Sequence, residues 1–244
     1  MADAEAVRAA GAFALTVVTT LTDQDTRGVR ALYPQPHEQV EAQCRALMED
    51  GRPRALKIGL VGSSRIARVL AALIDANPQL PVVLDPVLAS GAGQAVVDAA
   101  LLNQLRSHLV RRATLVTPNV PEASLLADSQ DPARCARRLM ELGARWVLIT
   151  GTHDDTQEVT NRLYASDGAE KAWTWPRLPG EYHGSGCTLA SAIAARLAIG
   201  WNMENAVAAA QDYTWTSLNQ SLRTGLGQLT PNRLFSLPTT ESTA

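Results

Sequence analysis

The sequence predicts an α/β protein whose doubly wound, largely parallel sheet ends in a late antiparallel hairpin. Three observations carry that expectation. Short apolar runs rich in Val, Leu and Ile, at residues 56–61, 81–86, 114–117 and 146–150, stop abruptly at polar residues. A stretch with apolar residues at helical spacing follows each of the first two runs and the run before Thr150 is preceded by another. Near the end, residues 159–165 and 171–175 alternate around Asp167-Gly168, as the two arms of a hairpin do. With 244 residues and 46% hydrophobic content the chain can bury a sizeable core. No linker, repeat or low-complexity tract divides residues 1–244, so one domain is expected, with a loose polar tail after Pro238.

Taken in order, residues 3–10 read as a short helix stopped by Gly11. Phe13 to Val18 is apolar and β-branched and reads as a buried strand, leading into a polar loop, Thr20 to Thr26. Pro36 opens a helix whose Val40, Cys44, Leu47 and Met48 share a face. After the strand at 56–61, Ile66, Val69, Leu70, Leu73 and Ile74 mark the next helix face. The third strand ends at Asp85-Pro86, Ser90-Gly91-Ala92-Gly93 makes a turn, and a helix is expected over residues 95–108. Thr117 leads into Pro118-Asn119-Val120-Pro121-Glu122, and Asp131-Pro132 is a helix start that runs to Gly143. Two helices, 187–199 and about 203–219, close the chain.

Composition excludes several functions. A net charge of −2 gives nucleic acid or an anionic membrane nothing to bind, and no apolar run is long enough to cross a bilayer. The opening Met-Ala-Asp-Ala-Glu has neither the basic nor the apolar region of a signal peptide. Three scattered cysteines without metal-ligand spacing fit a reducing cytoplasm.

The chemistry is expected where polar residues follow strands, because a parallel sheet gathers those positions on one edge. They are Gln24, Asp85, Asn119 with Glu122, Thr150 with His153, and Cys187. His183-Gly184-Ser185-Gly186-Cys187 runs into a helix, so backbone amides and the helix dipole form a nest for an anion, with phosphate the commonest. The same field is expected to lower the Cys187 thiol pKa. Asp85 and Glu122 would supply oxygens for Mg²⁺, and Cys187 can serve as a base. Phosphoryl transfer needs such a set. Plainer readings stand beside these: a glycine-rich turn, a core cysteine, loop histidines, and an Asn–Glu helix start made for capping alone. A Cys–His hydrolase at Cys187 leaves the two carboxylates unexplained. An oxidoreductase at the 57–67 junction would need glycine at Val61 and Ser64.

Lys57-Ile58-Gly59-Leu60, Asp85-Pro86-Val87, Thr117 to Glu122 and His183 to Cys187 resemble, in order and spacing, the hydroxymethylpyrimidine/phosphomethylpyrimidine kinases of thiamine biosynthesis, within the ribokinase superfamily. The resemblance spans residues 2–235 and implies a three-layer αβα ribokinase-like fold, ATP, Mg²⁺ and a homodimer. It implies phosphate transfer to the pyrimidine hydroxymethyl group and then to that monophosphate. By resemblance, Gln24, Leu60 and Val87 bind the substrate, Asn119, Thr150, His153, Gly184 and Gly186 bind ATP and its phosphates, and Asp85 and Glu122 hold the metal. Gly184, Ser185, Gly186 and Cys187 would be catalytic. Leu60 replaces a usual methionine and Thr152 a usual glycine. Some pyridoxal kinases carry the same cysteine, which keeps pyridoxal as an alternative acceptor. Family members begin with a strand and a Gly-x-Asp-x-Ser-Gly-Gly-Ala-Gly segment, and this sequence starts just beyond it, so a non-catalytic ligand-binding relative is a further alternative.

Overall fold

The computed structural model describes residues 1–88, 97–152 and 156–237. The expected turn at Ser90 to Gly93, the start of the helix expected from Ala95, His153 and the tail after Pro238 lie outside the described residues.

Four parallel strands form one side of the main sheet: β3 (Leu56–Ile58), β4 (Val82–Leu84), β5 (Leu115–Val116) and β6 (Trp146–Ile149). The hairpin β7 (Glu158–Ala165) and β8 (Glu170–Pro176) continues it antiparallel, as the sequence predicts. Among the described residues the strands lie in sequence order, 3-4-5-6-7-8, with no reversal of the winding, so the doubly wound sheet expected from the sequence is instead wound in one direction. Hence the crossover helices α3 (Ser64–Asp75), α4 (Ala99–Gln104, continued by tighter and wider turns to Arg112), α5 (Val120–Ala127) and α6 (Pro132–Glu141) cover one face. The other face is closed by α1 (Ala2–Ala9), α7 (Ser185–Ala198) and α8 (Met203–Asn219).

The period-two pleat builds both cores from the same strands. Val82, Leu84, Val116, Val147 and Ile149 join the cluster with α2 (His37–Gly51), α3, α5 and α6. Their neighbours Val83, Leu115, Leu148 and Leu163 join Leu189, Ile193, Val207 and Tyr213 on the opposite side. Each such side chain removed from water is worth roughly 1.5–3 kcal/mol. The helix predicted from Asp131-Pro132 starts there, with the Asp131 carboxylate accepting from the Ala133 amide at 3.1 Å.

One expected element is absent and one replaces a loop. Phe13 to Val18 has no strand partner among the described residues, and Phe13 and Val18 are 77% and 50% exposed, so the buried strand expected there does not form. The following residues instead make β1 (Thr20–Asp25), paired antiparallel with β2 (Gly28–Pro34) in a separate two-stranded ribbon. Local chemistry makes that turn: the Asp25 carboxylate accepts from the Arg27 amide at 2.8 Å and pairs with Arg30. The ribbon is anchored at the carboxyl end of β3 by Thr19, whose hydroxyl donates to the Leu60 carbonyl at 2.6 Å.

Candidate active site

The carboxyl ends of β3 and β4 bring the first charged groups together. Asp85 is 4% exposed, and its amide donates to the Ile58 carbonyl at 2.8 Å, which carries the ladder to the strand's last turn. Its Oδ2 lies 3.4 Å from Lys57 Nζ and has no hydrogen-bond partner among the described residues. Lys57 Nζ also donates to both Asp3 oxygens at 3.1 Å, and Ser191 Oγ donates to Asp3 Oδ1 at 2.9 Å. Burial pulls the Lys57 ammonium down, the Asp85 and Asp3 carboxylates and the hydrogen bonds to Asp3 push it up, and the net shift is upward, so it stays protonated.

Cys187 occupies the first turn of α7, as expected, yet its thiol is pushed up to about 12 rather than down. Burial is the main cause and outweighs Lys57; the neighbouring Asp85 and Asp3 charges and a hydrogen bond to Asp85 add to it. The helix field is real, but the thiol sits against carboxylates. In the resting site it is protonated.

The α7 nest depends on Gly184, whose φ of 81° is the left-handed conformation that favours glycine. α7 begins at Ser185, so the amides of Ser185, Gly186 and Cys187 precede the first intrahelical bond, Thr188 N to Gly184 O at 3.0 Å. Arg233 buttresses the nest from behind. Its Nε donates to Thr188 Oγ1 at 2.8 Å, its Nη2 to the Gly184 carbonyl at 3.4 Å and its Nη1 to Glu5 at 3.3 Å. Burial and Arg233 together lower the pKa of His183.

At β5 the plain reading of Asn119 and Glu122 holds in full: they form a capping box at the start of α5. Asn119 Oδ1 accepts from the Glu122 amide at 2.8 Å, and Glu122 Oε2 from the Asn119 amide at 3.0 Å. The Glu122 carboxyl also accepts from the Leu88 amide at 3.4 Å, so it faces the end of β4. Burial, with the Asp85 charge, raises its pKa to about 8. The folded chain therefore keeps a proton that the unfolded chain releases near 4.5, and stability from this group drains as pH rises towards about 8. Melting temperature should fall more steeply between about pH 5 and 8 in the wild type than in Glu122→Gln, which has no proton to lose. Equal slopes would contradict the raised pKa.

Thr150 pairs with Asn119 as the next strand end along, its amide donating to the Pro118 carbonyl at 3.0 Å. Gly151 is held by Asn161, whose Nδ2 donates to Gln211 at 2.8 Å. Leu60 and Val87 follow β3 and β4 and are partly exposed. Gln24 lies exposed on the ribbon at a register shift, and no hydrogen bond among the described residues ties it to Asp85 or Cys187. Lys57, Asp3, Ser191 and Arg233 carry no functional reading in the sequence. Only Lys57 leaves a trace, as a charge inside an apolar strand.

Among the described residues no three His, Cys, Asp or Glu gather as a metal cluster. The unpartnered Asp85 Oδ2 and the nearby Glu122 carboxyl still fit Mg²⁺, which takes one or two carboxylates and completes its shell with phosphate and water.

A family model described as phosphomethylpyrimidine kinase matches residues 1–232. The chain is 35% identical over 233 residues to hydroxymethylpyrimidine/phosphomethylpyrimidine kinase of Streptomyces coelicolor, covering 93% of this chain and 85% of that one. It superposes on the phosphomethylpyrimidine kinase of Clostridium difficile 630 with a TM-score of 0.77 and 28% identity, covering 89% and 91% of the two chains. A pyridoxal kinase of Staphylococcus aureus bound to AMP-PCP shares the fold, with a TM-score of 0.86 at 23% identity over 95% of this chain and 86% of that one.

Proposed function

The chain belongs to the phosphomethylpyrimidine kinase family, and from that premise we propose that it transfers phosphate from ATP to 4-amino-5-hydroxymethyl-2-methylpyrimidine and then to the monophosphate. The observation that supports this for the chain itself is the meeting of Asp85, Cys187 and Lys57 at the mouth of the α7 nest. In this reading the Gly184, Ser185 and Gly186 segment holds the migrating phosphoryl group with backbone amides. Cys187 takes the proton of the attacking hydroxyl as its own passes to the neighbouring Asp85. Asp85 and Glu122 would hold Mg²⁺, which when bound neutralises charge on the phosphates. Asn119, Thr150 and His153 would line the nucleotide side, and Gln24, Leu60 and Val87 the pyrimidine side. Residues 1–244 are read as one kinase domain acting as a homodimer in the cytoplasm.

The same Glu122→Gln variant tests the metal assignment. It should raise the Mg²⁺ concentration needed for half-maximal rate, whereas a capping role alone would leave that titration unshifted.

Pyridoxal is the competing acceptor. Gln24 favours the pyrimidine, because an amide can both donate to and accept from an aminopyrimidine edge. Pyridoxal has no exocyclic amine and would leave part of that amide unpaired, at a cost of about 1–3 kcal/mol if buried. ADP release should therefore depend on added hydroxymethylpyrimidine and exceed that with pyridoxal at equal concentration. A clear preference for pyridoxal would overturn the assignment.

A further inference from the structure

Lys57 is an enclosed cation, its side chain 9% exposed, that no step above uses. The parallel register pairs Ile58 with Leu84, which sets Gly59 alongside Asp85. Lys57 and residue 59 share one face of the sheet. A Cβ built on Gly59 would stand 2.7 Å from Lys57 Nζ, so the bare backbone of Gly59 is the space in which the ammonium lies. Through that space it reaches Asp85 Oδ2 at 3.4 Å while two of its three protons go to Asp3 at 3.1 Å. Asp3 is fixed in turn by Ser191 of α7. The chain of contacts runs from α1 through β3 to the carboxylate at the end of β4. Its last member is the buried oxygen without a hydrogen-bond partner among the described residues.

We propose that Lys57 is a positioning residue for phosphoryl transfer, acting through Asp85: it holds that carboxylate at the mouth of the α7 nest and governs how the site takes up a divalent cation with the nucleotide. The inference rests on the kinase reading for the nest and gives a role to a residue that this reading assigns no step. A buried bridge that only ties α1 to the sheet would need Asp3 alone. The contact with Asp85 is what gives Lys57 a part in the chemistry, because a cation entering beside Asp85 meets the ammonium's field at short range.

Two variants separate these roles. Lys57→Met removes the charge. Gly59→Ala keeps every charge and displaces only the tip of a flexible side chain, so it carries the test where the methionine variant fails to fold. ADP affinity is measured by calorimetry with and without Mg²⁺. In both variants the gain in affinity on adding Mg²⁺ should rise about fivefold or more, with metal-free affinity within about twofold of wild type. Turnover should fall about 10- to 100-fold with the KM for ATP little changed, as for a misplaced reacting group. A Mg²⁺ gain that is unchanged or lowered in a folded Gly59→Ala protein overturns the proposal and leaves Lys57 a tether. The binding comparison needs no turnover, so it judges Lys57 separately from the pyrimidine kinase assay, whose failure would count against the functional reading.

Discussion

Cys187→Ala is expected to lower turnover by about 10²-fold or more while nucleotide affinity stays within about twofold of wild type. The thiol stands in the first turn of α7 beside Asp85, so it lies between the nest and a buried carboxylate. Alanine keeps the helix and its amides and removes only the proton path. Cys187→Ser should recover little, because a hydroxyl holds its proton more tightly than a thiol even when burial raises both. Steady-state rates together with nucleotide binding to each variant make the check. An alanine variant with wild-type turnover would make Cys187 a packing residue and move the base elsewhere.

Gly184→Ala should cost both activity and stability. Any side chain at a φ of 81° pays about 1–2 kcal/mol of backbone strain. Here the added Cβ would also come 2.8 Å from Arg233 Nη2, inside a guanidinium network that is 6% exposed. Displacing Arg233 loosens its bonds to Thr188 and Glu5 as well as the cap, so turnover should fall by about 10²-fold or more. Gly11→Ala is the matched control. Its φ is 83° and nothing lies within 4 Å of a Cβ there, so it carries the backbone strain without the clash. Melting temperature should drop further in Gly184→Ala than in Gly11→Ala, and only the former should lose turnover. Equal behaviour of the two would show that Arg233 does not support the nest.

What the sequence disclosed and what it hid follow from the range of the forces involved. α3, α6 and the β7–β8 hairpin were legible because their signals are local: an apolar stripe from Ile66 to Ile74, Asp131 before Pro132, and Asp167-Gly168 between alternating arms. Phe13 to Val18 misled because apolar, β-branched residues make a strand only where a neighbour offers hydrogen bonds. The ribbon of β1 and β2 went unseen because its Thr- and Asp-rich first arm looks like a turn. The site divides in the same way. Asp85, Asn119, Glu122, Thr150 and Gly184 to Cys187 could be placed by their positions after strands or before helices. Lys57 and Asp3 are 54 residues apart, and Arg233 meets Gly184 across 49, so no spacing rule pairs them. The Cys187 thiol was expected to be lowered by the helix field and is raised instead, because burial and the approach of Asp85 are properties of the folded chain.

The edge formed by Asp85, Cys187 and the α7 nest is expected to move phosphate from ATP onto a pyrimidine hydroxymethyl group. Mass analysis of the products from wild-type protein, ATP, Mg²⁺ and hydroxymethylpyrimidine reads this transfer itself. The monophosphate should appear first and the diphosphate after it, with one ADP released for each phosphate gained and neither product formed at a comparable rate by Cys187→Ala. ADP release without a phosphorylated pyrimidine, or phosphorylated pyridoxal in preference to it, would rule out a pyrimidine kinase.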